Sequence, residues 1–190
     1  LNGGYVREIV IPPTSNIKNE KVLLERRKIL NAAAISGVKV SQIHAGYPIH
    51  ATKDVTVSVY TDKNLDLKDK NGCTVYEINY GSTNFVLSSC LGAKGQELLS
   101  QIGSDCDVLK IPSYGSAVKA SGKFISSFDP DYAVITSPPQ SKYYIFDRKM
   151  SEILRRQKIK YARTDKNKTI TFVTDGTKIK SVSASKGELR

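Results

Sequence analysis

The chain has 190 residues, 39% hydrophobic and 25% charged, enough for one domain with a substantial core and too few for two full ones. Its longest apolar runs, such as Asn84-Phe85-Val86-Leu87 and Ala133-Val134-Ile135, are far shorter than the ~20 residues of a membrane-spanning helix. Twenty-nine Lys and Arg against 18 Asp and Glu give a net charge of +11, which suits a polyanionic partner such as DNA, an anionic membrane surface, or simply solubility.

The opening Leu1-Asn2-Gly3-Gly4 carries neither initiator Met nor signal segment and reads as the middle of a longer protein or as a trimmed fragment. Residues 5–11 alternate into Pro12-Pro13, as a short strand does. A helix is expected over Glu20–Ser36, with Val22, Leu23, Ile29, Leu30, Ala33 and Ala34 as its apolar stripe and Gly37 beyond its end. Residues 38–43 and 55–60 alternate with period two. The Asp- and Lys-rich stretch 60–71 reads as a solvated loop.

Residues 73–80 and 84–88 flank Gly81-Ser82-Thr83, a strong hairpin signal. A short helix over Gly95–Ile102 ends at Gly103, and the strand 108–111 feeds the turn Pro112-Ser113-Tyr114-Gly115-Ser116. Chemistry in open α/β folds gathers at such carboxyl ends of strands. A helix over 117–128 with Phe124, Ile125 and Phe128 inward, a strand over 132–136 and a helix over 149–157 follow. Strands at 159–162, 169–173 and 178–182 are joined by polar turns at 165–167 and 175–176, and close a single domain over residues 1–182. The polar tail 183–190 has no apolar anchor and is expected to fray.

Cys73, Cys90 and Cys106 are odd in number, without a Cys-x-x-Cys pair, and are expected to be buried free thiols. His44 and His50, separated by Gly46 and Pro48, fit structural or exposed turn positions better than metal ligands. No Gly-x-Ser-x-Gly elbow, phosphate loop or dinucleotide fingerprint is present. Basic residues cluster as Lys119 and Lys123 after the central turn and as Arg148, Lys149, Arg155, Arg156, Lys158 and Lys160 around the last long helix. With Tyr114, Tyr143 and Tyr144 they could hold a nucleic-acid backbone by phosphate contact and stacking; a solvated helix face and core tyrosines would carry the same residues.

Several segments, in this order and spacing, resemble the carboxyl-terminal metallo-β-lactamase-like domain of the ComEC/Rec2-type competence (DNA-uptake) proteins. They are Asn84-Phe-Val-Leu-Ser-Ser-Cys90, Asp107-Val-Leu-Lys-Ile-Pro112, Phe128-Asp-Pro-Asp-Tyr-Ala-Val-Ile135, Tyr161-Ala-Arg-Thr-Asp165, Thr169-Ile-Thr171 and Asp175-Gly176. The resemblance implies an α/β (α+β) fold, an αββα sandwich whose loops at one sheet edge hold one or two divalent metals, zinc among them. It places the family's His-x-His-x-Asp-His motif, and the first strands of the fold, ahead of Leu1.

The family's ligand positions fall on Cys90, on Ser113-Tyr114 and near Asp147-Arg148. Hydroxyls and a guanidinium are poor replacements for imidazole and carboxylate. The expectation is therefore a domain without catalytic residues, metal or cofactor. It would bind DNA non-specifically through Tyr114, Lys119, Lys123, Arg148, Lys149, Arg155 and Arg156. The family's setting implies an extracytoplasmic location, with the membrane reached through the rest of the parent protein. Three alternatives stay open: a metal-dependent hydrolase or nuclease completed by residues ahead of Leu1, a docking module, and a homodimer formed through an open sheet edge.

Overall fold

The computed structural model describes residues 6–11, 20–43, 48–50, 52–60, 75–89, 91–116, 121–139, 146–187 and 189. Strand β1 (Glu8–Ile11) leads through helix α1 (Glu20–Ile35) to β2 (Lys39–Gln42), which pairs with β1 in parallel. The helix lies where its periodicity puts it, but the expected apolar stripe is only partly covered. Ala33 is fully buried and Leu23 and Leu30 half-buried, while Val22 and Ile29 are exposed, as is Ala34. A two-stranded sheet is too narrow to cover a whole helical stripe, so only the row Leu23, Leu30, Ala33 meets it.

The large sheet begins with β3 (Pro48–His50), β4 (Val55–Tyr60), β5 (Val75–Tyr80) and β6 (Thr83–Leu87), all antiparallel. The two-residue turn Gly81-Ser82 sets the β5–β6 register, pairing Tyr80 with Thr83. Helix α2 (Ala93–Ile102) returns the chain to β7 (Val108–Lys110), which lies parallel to β6. Helix α3 (Gly122–Ser126), β8 (Tyr132–Ile135), helix α4 (Arg148–Arg156) and β9 (Lys160–Arg163) continue in parallel, giving the order β3-β4-β5-β6-β7-β8-β9. The α/β class expected from the alternation of elements is the one observed.

One face of the parallel strands, carrying Val86, Leu109, Ala133 and Tyr161, packs with Leu99 of α2, Phe124 and Ile125 of α3, and Met150 and Leu154 of α4. The Phe124 and Phe128 rings meet edge to face at 5.1 Å. The helix expected over 117–128 is confined to Gly122–Ser126 within the described residues, because Ser121 caps it by accepting from the Phe124 N–H. Gln96, buried on α2, accepts from the Ser121 N–H at 2.8 Å and so ties the two helices together.

After β9 the expected polar turn is one turn of helix, α5 (Thr164–Asn167), followed by the hairpin β10 (Ile170–Thr174) and β11 (Ile179–Ala184). Phe172 of the hairpin packs edge to face on Phe85 and Tyr132, covering the opposite face of the sheet. The tail is held further along than its polarity suggested. β11 reaches Ala184, Ser185 N donates to Thr169 O, and the buried Asn167 exchanges bonds with the Lys186 backbone through its own carbonyl and its Nδ2. Backbone pairing thus anchors a segment that has no apolar side chain to do so.

Cys106 is a buried free thiol, as expected; Cys73 and Cys90 lie outside the described residues. Burial, followed by the carboxylates of Asp107, Asp105, Glu77 and Asp131, pushes its thiol up to about 12 from 9.0. Thiolate is the reactive form, so Cys106 should resist iodoacetamide at pH 8 in the folded protein and react on unfolding, read by peptide mass mapping. Because the folded pKa is raised, the contribution to stability is complete below pH 9 and declines as pH rises from 9 toward 12. Rapid alkylation of native Cys106 would contradict this packing.

Candidate nucleic-acid interface

The carboxyl ends of β6 to β9 form the edge where the resemblance places the family's metals. Ser113, Tyr114 and Gly115 follow β7 in a 3₁₀ turn with φ of 52°, 59° and 76°. Non-glycine residues pay about 1–2 kcal/mol for that left-handed conformation, so two in succession mark a locally strained turn. It is held by Ser113 N donating to Ser89 O at 3.1 Å and Ser116 N to Ser113 O at 3.1 Å. Gly115 is required there twice over: its φ is positive, and a Cβ would lie 2.8 Å from Ile135 Cγ2 and 3.2 Å from Phe146 Cδ2.

The carboxylates near this edge are already engaged. Asp147 caps α4 by accepting from Lys149 N at 2.9 Å. Asp165 accepts two hydrogen bonds from Arg163, Nε at 3.0 Å and Nη2 at 2.6 Å. Both side chains of that pair are mostly shielded, with exposures of 17% and 14%. The Arg163 guanidinium also lies 3.8 Å over the Phe146 ring, which stacks on Tyr161. Lys110 Nζ donates to Ser88 O at 2.8 Å, adding a cation beside the end of β6.

This donor set does not fit a divalent metal. Ser113 and Tyr114 offer neutral hydroxyls, the two carboxylates serve a helix cap and an ion pair, and Lys110 and Arg163 bring positive charge. Among the described residues, no group of three His, Cys, Asp or Glu could hold a metal ion. Cys90 and His44 lie outside the described residues, as do Lys119, Tyr143 and Tyr144. His50 lies on β3, the edge strand at the far side of the sheet from β7 to β9.

Most of the predicted basic cluster falls on one helix. Met150 and Leu154 turn α4 inward, and at 100° per residue the opposite face presents Arg148, Arg155, Arg156 and Lys149, all exposed, around a single acid, Glu152. None of these four cations takes part in a salt bridge among the described residues.

Lys123 is placed differently from the expectation that grouped it with Arg148 at the strand ends. Gly122 O accepts from Gln157 Nε2 at 3.0 Å, which sets α3 against the far end of α4. Nine helical residues separate Arg148 from Gln157, about 13 Å along the axis. Sequence proximity to the turn therefore does not keep Lys123 there.

The reading from sequence missed Phe146, Arg163 and the pairing of Asp165. The one available signal was Arg163-Thr164-Asp165, a close pair of opposite charges at a strand end.

The seven-stranded mixed sheet with helices on its parallel half defines a mixed α/β domain, and solved structures align with part of it. Such structures include a metal-dependent hydrolase from Parabacteroides distasonis ATCC 8503 (TM-score 0.47, 12% identity, 71% of this chain and 61% of that one). Zn²⁺-bound PqqB from Methylobacterium extorquens has a TM-score of 0.43 at 8% identity, over 82% of this chain and 60% of that one. A zinc-dependent hydrolase of the metallo-β-lactamase superfamily from Thermotoga maritima has a TM-score of 0.34 at 16% identity, over 63% and 61% of the two chains. In sequence, the chain is similar to ComE operon protein 3 of Bacillus subtilis (strain 168), 28% identical over 172 residues. That match covers 88% of this chain and 21% of the relative, so the chain spans about a fifth of the curated protein's length. The resemblance to ComEC/Rec2-type proteins read from the residues is thus met by a relative over most of the chain. No family model matches the chain.

Proposed function

We propose that this chain is an extracytoplasmic, metal-free and non-catalytic domain of a ComEC/Rec2-like DNA-uptake protein that binds DNA without sequence readout. The observation that carries the reading is the solvent face of α4, where Arg148, Lys149, Arg155 and Arg156 lie exposed and outside any salt bridge among the described residues. A helix face of unpaired cations neutralises backbone phosphates and releases their counterions, which yields affinity without base specificity. Lys123 extends this surface at the far end of the helix, and Tyr114 adds an aromatic side chain after β7; Lys119, outside the described residues, joins the set by its place in the sequence alone. The non-catalytic part of the reading is supported by the donor chemistry around Ser113 and Tyr114. The location and the membrane link follow from likeness to the competence family.

Fluorescence anisotropy of a labelled single strand across a salt series tests it. Four phosphate contacts give a slope of about −2.8 in log K against log[salt], so affinity falls about 50-fold between 50 and 200 mM salt. The double substitution Arg148→Glu and Arg156→Glu removes two of the four contacts and is expected to cut the slope to about −1.4 or less in magnitude. Binding indifferent to salt, or no binding at all, overturns the DNA reading. Stoichiometric zinc with metal-dependent cleavage on the same sample would restore the hydrolase.

A further inference from the structure

Of the seven large hydrophobic side chains exposed among the described residues, six fall in residues 6–40, the span of β1, α1 and β2: Val6, Val22, Leu24, Ile29, Ile35 and Val40. Single exposed hydrophobics are ordinary on a protein surface, but a concentration of them marks a contact. The rest of the chain does not share the pattern, since Val173 on β10 is the seventh. Ile35, the last residue of α1, is the extreme case at 87% exposure.

The exposed apolar residues of α1 lie on more than one side of the helix. Leu23, Leu30 and Ala33 set the side that meets the sheet; at about 100° per residue, Val22 and Ile29 stand about 70–90° to one flank of it, and Leu24 and Ile35 about 130–150° round the other way. A helix that is apolar on several sides is covered on several sides. Its sheet points the same way: β1 and β2 pair in parallel, no third strand joins them among the described residues, and parallel sheets occur with both faces covered. The unit thus has the composition of an interior layer and the exposure of a surface.

The residues around the two apolar rows separate the occupants that could cover them. A membrane-surface helix presents one apolar strip opposite one charged face. In α1 the exposed Lys21, Glu25 and Lys28 stand between the rows, with Glu25 and Lys28 joined at 2.9 Å, so a single plane cannot take both. A second copy would bring Lys21 and Lys28, which flank Leu24 and Ile35, toward a chain of the same net charge, +11. A further stretch of polypeptide can wrap both rows, and a protein of the curated relative's size has length for it, since this chain spans about a fifth of that relative.

We propose that Val22 and Ile29 on one side of α1, and Leu24 and Ile35 on the other, are the seat of an apolar segment of the same, longer polypeptide outside these 190 residues. This contact is independent of DNA binding, which uses α4.

Hydrogen exchange of the α1 amides, read by mass spectrometry in the 190-residue chain and in the full-length gene product, tests it. Exchange is expected to be about tenfold slower in the full-length protein, at every protein concentration. The informative variant is Leu24→Gln with Ile35→Gln. Both side chains are exposed and glutamine suits a helix, so the urea midpoint of the 190-residue chain should stay as in wild type, while exchange in the full-length protein should return toward the rate of the short chain. Equal exchange in the two wild-type proteins overturns the contact, and full protection kept by the double variant overturns the seat at these residues. A lowered midpoint of the short variant overturns it too, because both side chains would then belong to this chain's own core. Protection of the short chain that appears only as its concentration rises assigns the face to a second copy, and protection that appears only with phosphatidylglycerol vesicles assigns it to a membrane; either result overturns the intramolecular segment.

Discussion

Gly81→Ala should destabilise the protein by about 2–5 kcal/mol, the sum of the strain of a left-handed alanine and of forced overpacking. Gly81 has φ of 58°, and a Cβ there would stand 2.1 Å from the carbonyl oxygen of Gly176. That neighbour is backbone, not a flexible side-chain end, so the clash cannot be relieved by a rotamer change. The same carbonyl accepts from Ser82 N at 2.7 Å and so fixes the hairpin turn after β10 against the β5–β6 turn. Gly176 in turn sits under the Tyr80 ring, which a Cβ would approach within 3.1 Å. The two turns can meet only if both lack side chains. Urea unfolding followed by far-UV circular dichroism would measure the loss, and Phe172 should separate from Phe85 and Tyr132 as the hairpin lifts. A variant as stable as wild type would show that the turns are not docked as described.

Arg163→Ala is expected to cost about 2–4 kcal/mol, somewhat less than the 3–5 typical of breaking a fully buried pair, because each partner retains slight exposure. The substitution leaves the Asp165 carboxylate shielded without its two donors and removes the cation from the Phe146 ring. Replacing the pair together, Arg163→Ala with Asp165→Ala, should recover part of the loss, since no unpaired charge remains. The double-mutant cycle isolates the coupling, with about 1–3 kcal/mol expected for groups in direct contact. Additive single effects would mean that the pair does not hold the edge closed.

Much of the framework was legible in the residues. The Gly81 hairpin, the inward Phe124, Ile125 and Phe128, and the span of α4 follow from period and turn chemistry, which act within a few residues. Less was legible where the outcome depends on what an element meets. The α1 stripe is a valid helical pattern, yet Val22 and Ile29 stay exposed, the sheet beside the helix having two strands among the described residues. The tail 183–186 is polar and still ordered, since Asn167 and Thr169 supply backbone partners that hydropathy does not register.

The candidate site divides in the same way. Sequence by itself determined that Ser113 and Tyr114 stand in the turn after the strand 108–111, and that Arg148, Lys149, Arg155 and Arg156 cluster around one helix, because residue identity and helical period are local properties. Only the tertiary structure decided that Asp147 and Asp165 are engaged by a cap and an ion pair, and that Lys123 lies toward the far end of α4. Those facts depend on distances between groups from different elements, and packing sets such distances only once the sheet and its helices are assembled.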